Sequence, residues 1–315
     1  MVSREGSPTN QGMMTKPRHD AAPEKKVPAT TIATWPIGTF VENIVALPDG
    51  ALVVSVVSEH RLTWIRPGGE RRAFAEFRAP PTGLSLVGDD LFVNVGEPGK
   101  PGWSIHRVGP DERTKKVVDV AEALFLNGST PLRGSRVLVV DSILGKAFEV
   151  DTRTGEYGVW LEHPHLSKCT DEPMMPGVNG VKAFRGSVYF TSTERALILR
   201  VTVTPSGAAG DLEILAEHFL GDDFALDVQG NLYVTTHVYN QLQRLSTDGV
   251  RSVLADADEG LHGSTAVTFG RTAHDSRSLY VTTTGGIVAP IDGQVRPAKL
   301  IRLDAGVEGA PLAGI

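Results

Sequence analysis

Cysteine is nearly absent from this chain, which contains only Cys169 among its 315 residues. A single cysteine excludes an internal disulfide and is typical of a protein that works in a reducing compartment. The sequence also lacks clusters of lysine and arginine interleaved with aromatic residues, and its net charge is −6, so we expect no nucleic-acid partner. No apolar run approaches the roughly 20 residues of a membrane helix. We therefore expect a cytoplasmic protein without a membrane partner.

The first 29 residues are polar and contain no apolar segment of the kind found in signal peptides or membrane anchors. We interpret residues 1–29 as a disordered leader. The remaining residues, 30–315, are predicted to form one domain. The sequence does not indicate an oligomeric state.

Helical periodicity is scarce, whereas short alternating apolar runs between turn residues recur along the chain. Six runs begin with a similar pattern, at spacings of 40, 45, 52, 43 and 42 residues. These starts are Glu42-Asn43-Ile44, Thr82-Gly83-Leu84, Asn127-Gly128-Ser129, Asn179-Gly180-Val181, Asp222-Asp223-Phe224 and Ser264-Thr265-Ala266. A period of this length with several strands per unit predicts the blades of a β-propeller.

The fifth unit shows the predicted blade most clearly, with strands at Phe224–Asp227, Leu232–Thr236, Gln241–Leu245 and Val250–Leu254. The sixth unit ends after its third strand, and Thr30–Trp35 is available to complete it. Such pairing would close the ring and remove an exposed sheet edge. We predict an all-β fold with six blades of four antiparallel strands, the last blade closed by the N-terminal strand. A coiled sheet of another all-β type is the alternative.

Four of the six starts carry an oxygen ligand, namely Glu42, Asn127, Asn179 and Asp222. The innermost strands of a propeller begin around one axial tunnel, so these side chains should meet at its upper mouth. Carboxylate and amide oxygens suit a hard divalent cation, with Ca²⁺ favoured and Mg²⁺ or Mn²⁺ as alternatives. Asn-Gly is also a common turn dipeptide, which would explain the pattern without a metal.

The sequence around these residues resembles the senescence marker protein (regucalcin)/gluconolactonase family, and the resemblance covers nearly all of residues 30–304. The resemblance rests on Glu42 before a strand, Asn127-Gly128, Asn179-Gly180-Val181, and Asp222 five residues ahead of Asp227. It implies a six-bladed propeller with a divalent cation, commonly calcium, held by the four matching residues. It also implies that Asp222 acts as an acid or base.

Several motifs are most similar in sequence to a mainly fungal branch of the same superfamily that includes hetero-Diels–Alderases. They are Glu42-Asn43-Ile44, Phe125-Leu126-Asn127-Gly128, Gly177-Val178-Asn179-Gly180, Asp222-Asp223-Phe224-Ala225-Leu226-Asp227 and Leu279–Gly286. This second resemblance implies that the propeller mouth is a shaped pocket for a reaction other than hydrolysis. The two resemblances agree on the fold and differ on the reaction.

Three functions remain open, and each of the first two acts on a small-molecule substrate at the upper mouth. The first is a metal-dependent hydrolase of a lactone or reactive ester, in which Asp222 or Asp223 moves the proton of a bound water. The second is a cyclase of natural-product biosynthesis, in which His60, His237 or His262 polarises a carbonyl. The third is a binding scaffold without chemistry. Phosphate-binding loops, Gly-x-Ser-x-Gly elbows and zincin motifs are missing from the sequence.

The candidate site residues fall into three groups. The catalytic candidates are Asp222, Asp223, His237 and His262, and the metal candidates are Glu42, Asn127, Asn179 and Asp222. The candidates for contact with the substrate are His60, Trp103, Met174, Met175, Phe219 and Tyr239.

Overall fold

Turn residues at regular intervals divide the chain into short strands that pair with their neighbours in sequence. The computed structural model describes residues 16–172, 175–311 and 314. Over these residues it contains six sheets of four antiparallel strands. The predicted six-bladed all-β propeller is confirmed.

The strands follow one another with almost no helix between them, apart from short 3-10 turns at Val57–Glu59, His237–Tyr239 and Ala257–Glu259. In chain order they are β1 (Ala29–Ile37), β2 (Val41–Ala46), β3 (Leu52–Val56), β4 (Arg61–Ile65), β5 (Arg71–Glu76), β6 (Pro81–Val87), β7 (Asp90–Val95), β8 (Trp103–Val108), β9 (Thr114–Val120), β10 (Leu126–Arg133), β11 (Arg136–Asp141), β12 (Lys146–Asp151), β13 (Tyr157–Glu162), β14 (Val178–Phe184), β15 (Ser187–Ser192), β16 (Leu197–Val203), β17 (Ala209–Ala216), β18 (Phe224–Leu226), β19 (Leu232–Thr236), β20 (Gln241–Leu245), β21 (Arg251–Ala255), β22 (Ser264–Phe269), β23 (Ser278–Thr283) and β24 (Pro297–Asp304).

Blades one to five each use four consecutive strands, starting with β2, β6, β10, β14 and β18. The sixth blade has the order β22-β23-β24-β1. Its outermost pairing joins Thr30 to Arg302 and Ala29 to Leu303 in antiparallel register. The N-terminal strand therefore closes the ring, as the sequence predicts.

The turns at the lower face follow from local hydrogen bonding by aspartate. In the first blade, the carboxylate of Asp49 accepts a bond from the amide of Ala51, and Gly50 takes a φ of 84° that favours glycine. In the fifth blade, Asp227 Oδ1 accepts from the amides of both Gln229 and Asn231. These short turns leave the longer connections on the opposite, upper face.

The core consists of apolar layers between adjacent blades. Successive residues of a strand face opposite sides of the sheet, and each side packs against a neighbouring blade. Valine and leucine therefore occupy both sides of a sheet. Between blades one and two, for example, Val53 and Leu62 pack in one cluster with Leu84 and Val93. This packing fixes the blades rigidly around the tunnel.

Residues 16–28, the described part of the predicted leader, pack against blade five. They run along β21, where the amides of Lys25 and Val27 donate to the carbonyl oxygens of Val253 and Leu254 at 2.8 and 2.9 Å. Lys26 also forms ion pairs with Asp256 and Glu259. We call residues 16–28 the N-terminal segment. Within the described residues, no helix has the length and apolar character required to cross a membrane.

Candidate functional site

The six innermost strands share a β-bulge at their upper ends, where the sequence carries the predicted starts. In blade five, the amide of Asp222 donates to Thr235 O, and the amide of Thr235 donates to Asp223 O, so two residues oppose one. The other five blades show a register shift at the same place: Val41/Ile44, Pro81/Leu84, Leu126/Ser129, Val178/Val181 and Ser264/Val267. A bulge re-aims a side chain, which places the first residues around the mouth of the tunnel.

Buried hydroxyl groups of the second strands hold four of these bulges. Each accepts a hydrogen bond from a bulge amide, in the pairs Ser55–Asn43 at 2.9 Å, Thr191–Gly180 at 2.7 Å, Thr235–Asp223 at 3.1 Å and Thr282–Ala266 at 3.1 Å. Thr235 also donates to Thr265 O of the next blade at 2.6 Å. The repeated Ser or Thr in the second strand is a sequence signal that the strand pattern alone did not reveal.

Three of the four metal candidates lie in one hydrogen-bonded chain. Asn127 Nδ2 donates to Asn179 Oδ1 at 2.7 Å, and Asn179 Nδ2 donates to Asp222 Oδ1 at 2.6 Å. Asn179 Nδ2 also lies 3.1 Å from Thr193 Oγ1. All are buried. The structure thus brings together side chains from blades three, four and five.

Glu42, the fourth metal candidate, enters the mouth from blade one and keeps part of its surface open to solvent. Its carboxyl group makes none of the hydrogen bonds or ion pairs found among the described residues. Removal from water raises the pKa of Glu42 well above its usual range, and the negative charges of Asp222 and Asp223 raise it further. Glu42 is therefore an unpartnered carboxyl group that favours its neutral form or a nearby cation.

His237 completes the contacts on the other side of Asp222. Its Nδ1 lies 3.3 Å from Asp222 Oδ2, and its Nε2 lies 3.1 Å from Thr284 Oγ1, which is buried. The edge of the imidazole packs against Phe40, with ring centroids 5.8 Å apart. Both ring nitrogens therefore already face an oxygen. We call Glu42, Asn127, Asn179, Asp222 and His237 the polar ring.

Asp223 faces away from the polar ring and pairs with Lys182 lower in the tunnel. Lys182 Nζ lies 2.6 Å from Asp223 Oδ1, and both side chains are largely buried. Burial raises the pKa of Asp223, while the Lys182 ammonium opposes that shift. The sequence makes Asp223 a candidate acid or base beside Asp222, and in the structure its carboxylate pairs with Lys182. Lys182 was not identified from the sequence, because its partner lies 41 residues away.

The donor types of the polar ring fit a hard divalent cation, although their hydrogen bonds compete with one. Glu42 offers a free carboxylate beside Asp222, and the mutual repulsion of the two would be relieved by positive charge. The amide nitrogens of Asn127 and Asn179 donate to neighbouring oxygens. To bind a cation through their oxygens, the two amide groups would have to rotate or keep these hydrogen bonds beside the cation. Over the described ranges, no group of three or more His, Cys, Asp or Glu residues is arranged to hold a metal.

Two expected substrate contacts are core residues instead. Trp103 is completely buried between blades two and three, where it packs on Phe125. Phe219 is completely buried beside Ile198 and Val234. Aromatic residues at the ends of strands can face either the tunnel or the space between blades, and here the apolar layers hold both. Both side chains are enclosed by apolar neighbours in this structure.

The remaining predicted residues are spread over the upper face. His60 is exposed on the rim in a left-handed conformation after the first 3-10 turn. His262 is half-buried; desolvation lowers its pKa most, followed by the positive charges of Arg296 and Lys299. No contact of His262 with the polar ring is found among the described residues. Met174 lies outside the described residues.

Met175 and Tyr239 belong to an apolar cluster beside the mouth. Its buried members are Met175, Ala196, Leu220 and Val238, with Tyr239, Val288 and Ala289 packed against them. The N-terminal segment covers this cluster, because His19 stacks on Tyr239 at 4.4 Å and the Tyr239 hydroxyl donates to Pro17 O at 2.7 Å. Burial lowers the pKa of His19 to about 4. The segment therefore forms part of the wall near the site.

Two curated fungal proteins are similar to this chain over most of its length. One is the provisionally named hetero-Diels-Alderase asR5 of Sarocladium schorii, 24% identical over 84% of this chain and 80% of its own length. The other is a provisionally named hetero-Diels-Alderase of a Phoma species, 26% identical over 81% of this chain and 86% of its own length. No protein-family model matches the chain.

Solved propellers share the fold at lower identity. The calcium-binding protein regucalcin of Agrobacterium tumefaciens is 13% identical with a TM-score of 0.68, covering 94% of this chain and 98% of that one. A gluconolactonase of Xanthomonas campestris is 16% identical with a TM-score of 0.67, covering 92% and 94%. The expected resemblance to regucalcin and gluconolactonase propellers, with curated relatives named as hetero-Diels-Alderases, is confirmed.

Proposed function

We propose that this protein is an enzyme that binds a reactive carbonyl compound over the polar ring and catalyses its cyclisation rather than its hydrolysis. The proposal rests on one difference between the candidate acids and bases, namely whether each has a hydrogen-bond or ion-pair partner within the protein. Asp222, Asp223 and His237 all have close partners within the protein, whereas the Glu42 carboxyl group has none among the described residues. The site therefore offers an acid to a substrate more readily than a base to a water.

Glu42 supplies the acid in this proposal. Its raised pKa favours the neutral carboxyl group, which donates a hydrogen bond to the carbonyl oxygen of the substrate and withdraws electron density from it. Asp222, held by Asn179 and His237, keeps the neighbouring negative charge that disfavours ionisation of Glu42. A divalent cation held by Glu42, Asp222 and the amide oxygens of Asn127 and Asn179 would supply Lewis-acid polarisation of the same carbonyl.

The reaction class is a hetero-Diels–Alder addition, as the names of the two curated relatives suggest. A conjugated carbonyl, such as a quinone methide, and an alkene form one carbon–carbon and one carbon–oxygen bond while three π bonds become one. No atom leaves and no water enters, so the protein needs no base. Holding both partners in the reactive geometry lowers the barrier by several kcal/mol. His237 and Phe40, whose rings pack nearly perpendicular to each other, would form part of the wall for such a substrate.

A metal-dependent lactonase is the second candidate. The oxygen-rich composition of the polar ring supports it, and so does the shared fold of the gluconolactonase structure. In that reaction, a cation and Asp222 would have to activate a water, which requires Asp222 to give up its contact with His237. A binding scaffold without catalytic activity is disfavoured. Buried carboxyl groups at the mouth destabilise the fold, and a scaffold has no need of them.

Two probe reactions separate these candidates. The first is addition of an electron-rich alkene to an ortho-quinone methide generated in situ, and the second is hydrolysis of glucono-δ-lactone in ¹⁸O-labelled water. We expect acceleration of the first, and we expect Glu42→Gln to lower that rate by about 10- to 100-fold because the amide is a weaker donor. The rate with wild type should fall as pH rises through the raised pKa of Glu42, and the Glu42→Gln profile should be flat. Addition of Ca²⁺ after chelation tests the cation in both reactions.

The control variant is Glu59→Gln, which removes a carboxylate at the rim that already pairs with Arg61 and should leave the rate unchanged. Incorporation of ¹⁸O into a ring-opened product that depends on Asp222, together with no effect on the cycloaddition, would overturn the proposal in favour of the lactonase.

A further inference from the structure

A cavity lies at the lower end of the tunnel, on the side opposite the polar ring. Its volume is about 40 Å³, whereas one water needs roughly 10–15 Å³ of such space. The walls are the lower parts of the innermost strands of blades three to six and the residues that follow β24. These lining residues are Thr130, Lys182–Phe184, Ala225, Leu226, Val267–Phe269, Arg271, Ala310 and Pro311. We call it the lower cavity.

The floor of the lower cavity is a defined structure. The amide of Ala310 donates to Leu226 O at 2.8 Å, and the amide of Gly309 donates to Ser276 O at 2.9 Å. Gly309 is required there, since a Cβ atom would lie 2.3 Å from Phe269. The segment after β24 is thus fixed across the lower ends of blades five and six.

Arg271 is a cation without a partner on the wall of this cavity. None of the hydrogen bonds or ion pairs among the described residues includes its side chain, and its Nη1 atom is buried. Burial lowers the pKa of the guanidinium, and no acidic neighbour opposes that shift. By contrast, Arg72 pairs with Glu112 and Arg136 with Glu149. The Arg271 side chain is half-buried, and its enclosed Nη1 atom has no partner among the described residues, so an anion bound there would stabilise it.

Lys182, the other cation on the same wall, does not need one. Its ammonium lies 2.6 Å from Asp223 Oδ1, which neutralises it within the tunnel. The charge that remains at the lower cavity is therefore that of Arg271.

We propose that the lower cavity binds a small monovalent carboxylate of the size of acetate. The planar guanidinium of Arg271 matches the two oxygens of a carboxylate, and an apolar wall formed by Phe184, Leu226 and Phe269 receives the methyl group. The hydroxyl of Thr268 makes only a long bond of 3.4 Å to Phe269 O, so it is free to turn toward the anion. The enclosed space accommodates an anion as small as acetate. This site is independent of the chemistry proposed at the upper mouth.

Thermal unfolding of the whole chain in acetate and in chloride at equal ionic strength tests the site. We expect a saturable rise of the melting temperature of roughly 1–3 °C in acetate above that in chloride. Arg271→Met should abolish this difference. Arg277→Met is the matched control, because Arg277 is an exposed arginine of the same connection between β22 and β23, and it should keep the difference.

Arg271→Lys provides a second variant if the methionine variant fails to fold. It retains the charge but loses the paired donors, so the acetate difference should shrink. No acetate difference in wild type, or an undiminished difference without the Arg271 guanidinium, would overturn the proposal. The upper-mouth reactions do not enter this measurement, so its result stands apart from the test of Glu42.

Discussion

Replacing Thr235 by valine tests whether buried hydroxyl groups hold the bulges that shape the mouth. Thr235 is completely buried, and its Oγ1 accepts from the amide of Asp223 at 3.1 Å while donating to Thr265 O at 2.6 Å. Valine has nearly the same shape and neither bond. The change therefore leaves one buried backbone donor and one buried backbone acceptor without a partner.

The expected cost follows from these two groups. Each buried polar group without a partner costs about 1–3 kcal/mol, which gives about 2–6 kcal/mol for both. The apolar methyl of valine returns about 0.8 kcal/mol. We expect a loss near 3 kcal/mol, which is about two orders of magnitude in the unfolding equilibrium. The bulge also positions Asp222, so we expect a slower reaction at the mouth.

Equilibrium unfolding in urea measures the stability change, and Thr63→Val is the matched control. Thr63 lies in β4 and is also buried, but its hydroxyl has no hydrogen-bond partner among the described residues. The same substitution there removes a polar group that is already unpaired and should be neutral or stabilising. Equal costs at the two positions would refute the reasoning, because the hydroxyl bonds at Thr235 would then contribute nothing.

The remaining predictions concern the N-terminal segment and the core. Burial lowers the pKa of His19 from its ordinary 6.5 to about 4 in the folded chain. The unfolded chain therefore binds more protons between these values, and stability should fall as pH falls through that window. We expect His19→Gln to remove about 1–2 kcal/mol of this dependence of stability on pH, after allowance for partial exposure. Limited proteolysis of residues 16–28 at pH 7 and pH 5 measures the change. In the core, Gly96→Ala would place a Cβ atom 2.3 Å from Trp103 and should cost about 1–3 kcal/mol in urea unfolding, whereas Gly68→Ala, with no atom within 4 Å, should be neutral.

The blades could be predicted because their determinants are local. In the fifth blade the predicted strands Leu232–Thr236 and Gln241–Leu245 match the observed ones, since turns such as Gln229-Gly230-Asn231 stop each strand at a fixed place. The closure by the N-terminal strand could also be predicted, because a blade with three strands leaves one edge unpaired. These features need only alternation and turn chemistry.

The side-chain contacts of the site depend on geometry that no local pattern contains. The meeting of Asn127, Asn179 and Asp222 follows from the shared register of the strand starts, so it could be expected. The pairing of Lys182 with Asp223 depends on a bulge that turns Asp223 down the tunnel, and the sequence shows no such turn. Trp103 was expected at the mouth, because its position at a strand end does not indicate which layer it enters.

The N-terminal segment was missed for a different physical reason. Its attachment to β21 rests on backbone hydrogen bonds, which any sequence can make, and its polar composition resembles that of disordered chains. Side-chain contacts add to this attachment, among them the stacking of His19 on Tyr239 and the ion pairs of Lys26 with Asp256 and Glu259. Segments held in this way cannot be recognised from composition.

The contacts of the polar ring explain why one scaffold can resemble both lactonases and cyclases. Opening a lactone and activating a conjugated carbonyl both need a group that polarises the carbonyl oxygen, and in the proposed function Glu42 beside Asp222 does this with a proton or with a cation. The two reactions differ in their other requirements, because hydrolysis also needs a base with a free lone pair and an ordered water. In this chain Asp222 and His237 contact each other, and Asp223 pairs with Lys182. In the proposed function, the partners of the bases are therefore the reason for preferring ring formation to hydrolysis.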